Sequence, residues 1–194
     1  MRAVVAAIVA AAVVLGPGVG MCGERFERAL AEARRGLAAR DAALTLGALR
    51  RAMAIAWAQL PFTAIDVRLA QDLPTGYGLF RVRRSNVFRP SEPLFLYMEP
   101  VGFTVRRDPR TGFYFYHLVA DFNLVDSSGR VVGGRREVAH FKGTSRYFPD
   151  RLPVSFTYSL KGLPPGSYTV ETVLRDLLSG RSHTVVTKIR VVKP

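Results

Sequence analysis

The side chains of this sequence best suited to acid–base catalysis near neutral pH are those of its three histidines, His117, His140 and His183. A serine or cysteine nucleophile would need such a base beside it, usually at a loop or a strand-to-helix turn. All three histidines fall inside segments that we predict to be strands, and the sequence contains no G-x-S-x-G motif. We therefore predict a protein that is not an enzyme and has no catalytic residue.

The same side chains could bind a metal ion, but their spacing along the chain is unfavourable. His117 and Asp121 are four residues apart, which separates them by about 13 Å on one face of a strand, too far to share an ion. The three histidines occupy three predicted strands and are not expected to converge. Nor do we expect a carboxylate pair for glycoside hydrolysis. We predict no metal site and no cofactor. The glutamates considered are Glu99, Glu137 and Glu171, each on a different predicted strand.

Positive charge is the strongest bias of the composition. The 194 residues include 28 Lys and Arg against 15 Asp and Glu, a net charge of +13. Such a surface attracts anionic partners, of which phospholipid headgroups, lipopolysaccharide and acidic glycans occur at a cell envelope. Nucleic acid is disfavoured because aromatic residues do not alternate with the arginines on one platform. The candidate ligand-binding residues are Arg81 and Arg83 on one predicted strand, Arg106, Arg107 and Arg110 around one predicted hairpin, and Arg135 and Arg136 beside Gly133-Gly134.

The arginine excess also has a simpler interpretation. Of the 28 basic residues, 24 are arginine and four are lysine, which fits a chain whose composition is generally rich in arginine. Both interpretations stay open from the sequence.

The N-terminus predicts export. Arg2 precedes an apolar run over residues 3–15, and Gly16-Pro17-Gly18 interrupts that run before small residues follow. This is the layout of a secretory signal peptide, which we assign to residues 1–20, and it places the protein in the periplasm or outside the cell. The alternatives are an uncleaved leader acting as an anchor and a lipoprotein modified at Cys22, the only routes by which we expect membrane contact.

Residues 21–60 form a predicted helical segment. Apolar residues recur on one face at Phe26, Leu30, Ala33 and Leu37, and Asp41 is a suitable N-cap for a second helix that ends before Pro61. One long helix or two shorter ones fit this pattern. A helical hairpin that packs on the rest of the protein is the main prediction, and an amphipathic element for a membrane or partner is the alternative. The predicted stripe of the second helix comprises Leu46, Leu49, Met53, Trp57 and Leu60.

Residues 61–77 are predicted to be a linker with one short strand, and residues 78–194 a β domain of about seven strands. Turn motifs recur at short intervals, each joining an aspartate to a glycine: Asp108 to Gly112, Asp126 to Gly129, and Asp176 to Gly180. Strands such as 154–160 alternate apolar and polar residues, which favours two packed antiparallel sheets over a βαβ fold.

Four consecutive aromatic residues, Phe113 to Tyr116, must place two rings on each side of a sheet. One pair fits a core. The other pair is either covered by the helical segment, which we favour, or marks a binding surface.

The segment Leu163-Pro164-Pro165-Gly166-Ser167-Tyr168-Thr169-Val170 resembles the approach to the penultimate strand in fibronectin type III and bacterial immunoglobulin-like domains, a family without one specific function. The resemblance covers about residues 78–194. It implies a mainly β, antiparallel sandwich in which Tyr168 forms a tyrosine corner by hydrogen bonding to backbone a few residues upstream. The sequence departs from the antibody branch, since no tryptophan and no cysteine pair fall in this region.

These features together predict an exported, non-catalytic interaction module of the bacterial cell envelope, which binds an anionic polymer or a protein through a basic face. The alternative is a structural or accessory subunit that assembles with another protein through its N-terminal helices. This fold hosts many functions, so it does not identify the ligand.

Overall fold

A computed structural model describes residues 17–193, which divide into two compact units at Ile55 and Ala56. Of the predicted leader, residues 1–16 lie outside the described residues, and residues 17–20 belong to the first helix. Cys22 also lies on this helix and is half-buried. Among the described residues, no helix combines the length and apolar character needed to cross a bilayer.

Two helices form the N-terminal part of the described chain, α1 over Pro17–Ala38 and α2 over Ala42–Trp57. Asp41 caps α2 as predicted, because its carboxylate accepts the backbone N–H of Leu44 at 2.9 Å. Arg40, with a φ of 54°, reverses the chain direction between the helices. The alternative of one long helix is therefore wrong.

The buried residues of the helices are smaller than the pattern predicted. Ala29 and Ala33 are buried on α1, and Ala48 and Ala52 on α2. A side chain at Gly36 would collide with Thr45, so the helices approach closely there. The predicted apolar stripe is largely exposed instead: Leu37, Leu46, Leu49 and Met53 are 45–71% accessible.

Among residues 17–193, nine strands form two sheets, confirming a mainly β protein. The three-stranded sheet has the order β1-β3-β7, and the six-stranded sheet has the order β2-β9-β8-β5-β4, with β6 also paired to β5. The strands are β1 (Thr63–Ala70), β2 (Val87–Phe88), β3 (Leu94–Val101), β4 (Arg106–Arg107), β5 (Tyr114–Asp126), β6 (Val131–Ser145), β7 (Val154–Tyr158), β8 (Gly166–Asp176) and β9 (Ser182–Val191).

The short strand predicted inside the linker 61–77 is present as β1, which pairs with β3 over most of its length. Two other details of the strand prediction are corrected. The strand predicted to carry Arg81 and Arg83, over residues 79–84, is absent from the described structure, where Leu79 and Val82 each make an isolated bridge. The pairing is not wholly antiparallel, since β2 runs parallel to β9.

One hydrophobic core receives side chains from both sheets. The alternating residues of β7 and β8 point into it as predicted, including Val154, Phe156, Val170 and Leu174. Inside this core, the hydroxyl groups of Tyr158 and Thr172 are 2.7 Å apart. Burial raises the pKa of Tyr158 to about 12, and the hydrogen bond between Tyr158 and Thr172 offsets only part of that rise.

The three predicted aspartate–glycine turns are confirmed. Each aspartate accepts the backbone N–H two residues later, and each glycine has a φ between 73° and 83°. Only glycine adopts this conformation without strain, and the carboxylate replaces a backbone acceptor in the turn. These hairpins join β4 to β5, β5 to β6, and β8 to β9.

The predicted hydrogen bond of Tyr168 is present. Its hydroxyl donates to the carbonyl of Pro164, four residues upstream, at 2.9 Å, and the ring is buried. The bond therefore attaches the loop before β8 to the core.

Replacing Tyr168 by phenylalanine is expected to lower the free energy of unfolding by about 1 kcal/mol, because only the hydroxyl is removed. Urea unfolding followed by circular dichroism measures this loss. Tyr77→Phe is the matched control, since this tyrosine is half-exposed. An equal loss in both variants would show that the Pro164 bond has no particular role.

Candidate anion-binding cleft

A cleft of about 580 Å³ opens beside the hairpin that joins β4 to β5. Its lining combines two arginines and two phenylalanines with short polar residues. The lining residues are Arg106, Arg107, Asp108, Pro109, Thr111, Phe113, Phe115 and Thr144.

Strand pairing positions the four consecutive aromatic residues. Tyr114 contacts Phe148 and Tyr116 contacts Phe103, with ring centroids 5.7 and 5.4 Å apart. Phe113 and Phe115, which alternate with these tyrosines along the chain, line the cleft instead. Rings in this position correspond to the binding surface that was one of the two roles predicted for the second aromatic pair.

The two cleft arginines are oriented by backbone carbonyls. Arg106 donates from Nη2 to the carbonyl of Leu178 at 2.8 Å, and Arg107 donates from Nε to that of Gly112 at 3.0 Å. Each bond uses one of five guanidinium N–H donors, and both residues are exposed. The remaining donors can therefore meet a carboxylate, sulfate or phosphate group.

Arg146 adds a third guanidinium, 5.5 Å from the centre of the Phe113 ring. It was not among the residues predicted from the sequence. It follows Ser145, which pairs with Tyr114, so the pairing of β6 with β5 brings it to the hairpin.

Asp108 offsets only one of the positive charges at the hairpin, and its carboxylate is hydrogen-bonded within its own turn. One oxygen accepts the N–H of Arg110 at 2.8 Å, and the other accepts the hydroxyl of Thr111 at 3.0 Å. The bond from the Arg110 amide is the main cause that lowers the pKa of Asp108. Arg110, on the same turn, is exposed. The hairpin therefore keeps a net positive charge.

Arg81 and Arg83 have local carboxylate partners. Arg81 donates from Nε to Asp72 at 2.9 Å. Arg83 bonds to Glu92 and to the carbonyl of Val87, both at 2.6 Å, and lies 4.2 Å above the Phe88 ring. Arg83 thus supports the loop before β2, and these two arginines lie outside the cleft lining.

Arg135 and Arg136 lie far along β6 from the cleft. Arg135 pairs with Phe122, seven residues beyond Phe115 on β5, a distance of about 23 Å along the strand. Both arginines are exposed. The seven predicted arginines therefore do not form one patch, and only Arg106, Arg107 and Arg110 gather at the hairpin.

Two of the three histidines lie side by side, and each glutamate considered above has its own polar partner. His117 and His140 converge, with ring nitrogens 3.4 Å apart, while Nε2 of His183 lies 3.3 Å from the hydroxyl of Thr63. The glutamates considered for a carboxylate pair have separate partners: Glu99 accepts from Tyr97, Glu137 from Arg175, and Glu171 from Asn123.

Within the described chain, the fold and cleft define a mainly β protein with two N-terminal helices, antiparallel sheets and a basic, aromatic cleft. No protein-family model matches the sequence, and no curated protein matches it.

Solved structures similar to this chain include the PKD domain of an M14-like peptidase from Thermoplasmatales archaeon SCGC AB-540-F20. The identity is 10% and the TM-score 0.35, over 67% of this chain and 96% of that domain. Another is the alkylpurine DNA glycosylase AlkC of Pseudomonas fluorescens bound to DNA with an abasic site analog. There the identity is 13% and the TM-score 0.35, over 79% of this chain and 37% of the glycosylase. Similarity at this level does not identify the activity of the chain.

Proposed function

We propose that this protein is an exported, non-catalytic interaction module of the cell envelope, which binds an anionic polymer at the β4–β5 cleft. The observation that carries the proposal is that Arg106 and Arg107 line one cleft with Phe113 and Phe115, while Arg146 lies 5.5 Å from the centre of the Phe113 ring. Guanidinium groups bind the anionic groups of a polymer, and the rings offer flat apolar surfaces to its backbone.

The proposed location rests on the leader assigned to residues 1–20, in which an apolar run over residues 3–15 is followed by Gly16-Pro17-Gly18 and small residues. The accessible polymers in the periplasm or outside the cell are lipopolysaccharide and acidic glycans. We further propose an immunoglobulin- or fibronectin-like sandwich as the scaffold. A core shared by two sheets and the bond from Tyr168 to Pro164 support this assignment.

A non-catalytic role is supported by the positions of the histidines. The pairs His117–His140 and His183–Thr63 both lie outside the residues that line the cleft. In the cleft itself the one carboxylate, Asp108, already accepts bonds within its own turn. The cleft therefore supplies cations and rings rather than an activated nucleophile or base.

The proposal is tested by binding of the purified protein to heparin and to lipopolysaccharide-coated resin across a salt gradient. Replacing Arg106, Arg107 and Arg146 together by glutamine is expected to weaken retention about tenfold, because three exposed charge contacts are lost. The matched control replaces Arg84, Arg135 and Arg136 by glutamine, which removes the same charge elsewhere on exposed residues. The control protein is expected to keep most of its retention.

Circular dichroism of both variants verifies that the fold is retained. Equal loss in the two variants would show that total charge, rather than the cleft, determines binding. If the unmodified protein is not retained on either resin, the proposed ligand class is wrong. The comparison of heparin with lipopolysaccharide separates recognition of an acidic glycan from recognition of a lipid-linked phosphate.

A second candidate function is that of an accessory subunit that assembles through its helices. The specific observation is the exposure of three large apolar residues on α2, Leu46, Leu49 and Met53, each 45–51% accessible. An exposed apolar stripe at helical spacing is typical of a surface that binds another protein. Lack of retention on either anionic resin would favour this alternative.

A further inference from the structure

His117 on β5 and His140 on β6 are diagonal neighbours on one side of the sheet. Nε2 of His117 lies 3.4 Å from Nδ1 of His140, and the ring planes are inclined by 46°. Neither side chain is buried. Two neutral imidazoles in this position can share a single proton, and if both nitrogens present lone pairs, a cation between them relieves the repulsion.

Glu137 favours the form of His140 that presents a lone pair to its partner. The Glu137 carboxylate lies 4.0 Å from Nε2 of His140, the ring nitrogen that does not face His117. In the neutral ring, the negative charge of Glu137 favours a proton on Nε2 over one on Nδ1, which leaves a lone pair on Nδ1. Histidines that bind metals commonly donate their second N–H to a carboxylate, and here the carboxylate lies 4.0 Å away, close enough to act through its charge.

The backbone and two further charged residues hold Glu137 in place. Arg175 donates to Glu137 at 3.1 Å and to Asp121 at 2.9 Å, and Asp121 accepts the backbone N–H of Glu137 at 2.7 Å. Glu137 itself has a φ of 53°, in a bulge where the pairing of β5 with β6 shifts. A strained non-glycine residue fixed by several contacts is typical of functional sites.

We propose that His117 and His140 bind one divalent transition-metal ion of the class that prefers imidazole, such as Zn²⁺, Cu²⁺ or Ni²⁺. Two bonds of about 2.05 Å at a tetrahedral angle place their nitrogens about 3.3 Å apart, which matches the 3.4 Å separation. Glu137 acts as a positioning residue through His140. Among residues 17–193 no group of three or more potential ligands gathers, so water completes the coordination.

The site uses none of the cleft residues and does not rest on the proposed function. It lies on the same side of β5 as Phe115, whose neighbour on that side is His117. Lys142, opposite His117, and Arg175, beside Glu137, place two positive charges near the ion. Two protein ligands and these cations predict an exchangeable ion rather than a permanently bound one.

Titration of the full chain with Zn²⁺, after treatment with a chelator, tests the site by isothermal calorimetry. We expect one ion per chain. His117→Asn and His140→Asn are each expected to weaken binding at least about tenfold, because each removes one of two ligands. His183→Asn is the matched control, since this histidine contacts Thr63 instead, and its affinity is expected to be unchanged.

Glu137→Gln tests the positioning role, with an expected loss of about 10- to 100-fold in Zn²⁺ affinity while both histidines remain. Electron paramagnetic resonance of the Cu²⁺ complex supplies a structural readout. Its nitrogen couplings are expected to report two imidazoles in the unmodified protein and one in either single histidine variant. The proposal is overturned if the protein lacking both histidines binds Zn²⁺ as tightly as the unmodified protein, or if His183→Asn causes the same loss.

Discussion

Replacing Asp176 by alanine is expected to lower the free energy of unfolding by about 3 kcal/mol, because the donors around a fully buried carboxylate lose their acceptor. The carboxylate accepts the N–H groups of Thr104 at 2.8 Å and Leu178 at 3.0 Å and the hydroxyl of Ser179 at 2.6 Å. The Arg181 guanidinium lies 3.7 Å away. Urea unfolding followed by circular dichroism measures the loss.

The same substitution is expected to change stability most at neutral pH. Burial by itself raises the pKa of Asp176, but hydrogen bonds from Ser179 and Thr104 outweigh it and hold the pKa below the usual 3.8. A carboxyl group with a lower pKa in the folded state stabilises the fold above its unfolded pKa, and this contribution is lost as the pH falls through the folded pKa. The stability curves of the two proteins should therefore converge below a pH of about 4.

Asp108→Ala is the matched control for this prediction. Asp108 begins the same type of turn, but its hairpin is accessible to water, which can replace the lost acceptor. We expect a smaller loss of stability than for Asp176→Ala. Equal losses, or a difference between the Asp176 variant and the unmodified protein that does not vary with pH, would contradict the assignment.

The Asp176 variant also connects stability with the proposed binding. Asp176 accepts the N–H of Leu178, whose carbonyl orients Arg106 in the cleft. Loss of the carboxylate should therefore weaken retention on anionic resins although Asp176 is not a lining residue.

Replacing Trp57 by alanine is expected to lower the free energy of unfolding by about 3–5 kcal/mol, the usual effect of removing a large buried ring. Trp57 is 5% accessible and packs against Phe103 and Phe148, with centroids 5.1 and 5.7 Å away. Its indole N–H donates to the carbonyl of Phe103 at 2.8 Å. Circular dichroism during urea unfolding measures the change.

Two controls separate packing from hydrogen bonding. Trp57→Phe retains much of the ring volume but removes the N–H, and we expect a loss of about 1–3 kcal/mol. Leu60→Ala truncates a residue that is 41% accessible, three positions later, and should change stability less. A loss below about 1 kcal/mol for Trp57→Ala would show that the ring contributes little to the core.

Local chemistry explains which elements were predictable. The turns at Asp108, Asp126 and Asp176 formed as expected because each aspartate bonds to an amide two residues later, a contact that needs no distant partner. The Asp41 cap and the Tyr168 bond span three and four residues, for the same reason. The strands β7 and β8 were predictable because each has one buried face, so that apolar and polar residues alternate along its own sequence.

The segment 79–84 shows where local pattern was insufficient. Its alternation resembles a strand, yet Phe80 stacks on Tyr97 with centroids 4.3 Å apart. Arg83 turns to Glu92 and the Phe88 ring. On the backbone, the segment makes two hydrogen bonds at the end of β1, from Gln71 N–H to the Arg81 carbonyl and from Arg83 N–H to the Leu69 carbonyl. Its pairing there is limited to the bridge between Val82 and Ala70, which is too short to form a strand. The helices are a similar case, because close approach at Gly36 buries alanines and leaves Leu46, Leu49 and Met53 exposed.

The sequence alone determined the β-rich character, the turn positions, the capping of α2 and the cluster of Arg106, Arg107 and Arg110, since all of these depend on neighbours along the chain. Only the tertiary structure decided which distant residues joined them. Two register shifts between β5 and β6, after Ala120 and after Leu124, determine that Arg146 reaches Phe113 and that His140 reaches His117. A shift of this kind depends on how a bulged strand fits its partner, which no spacing within either strand specifies.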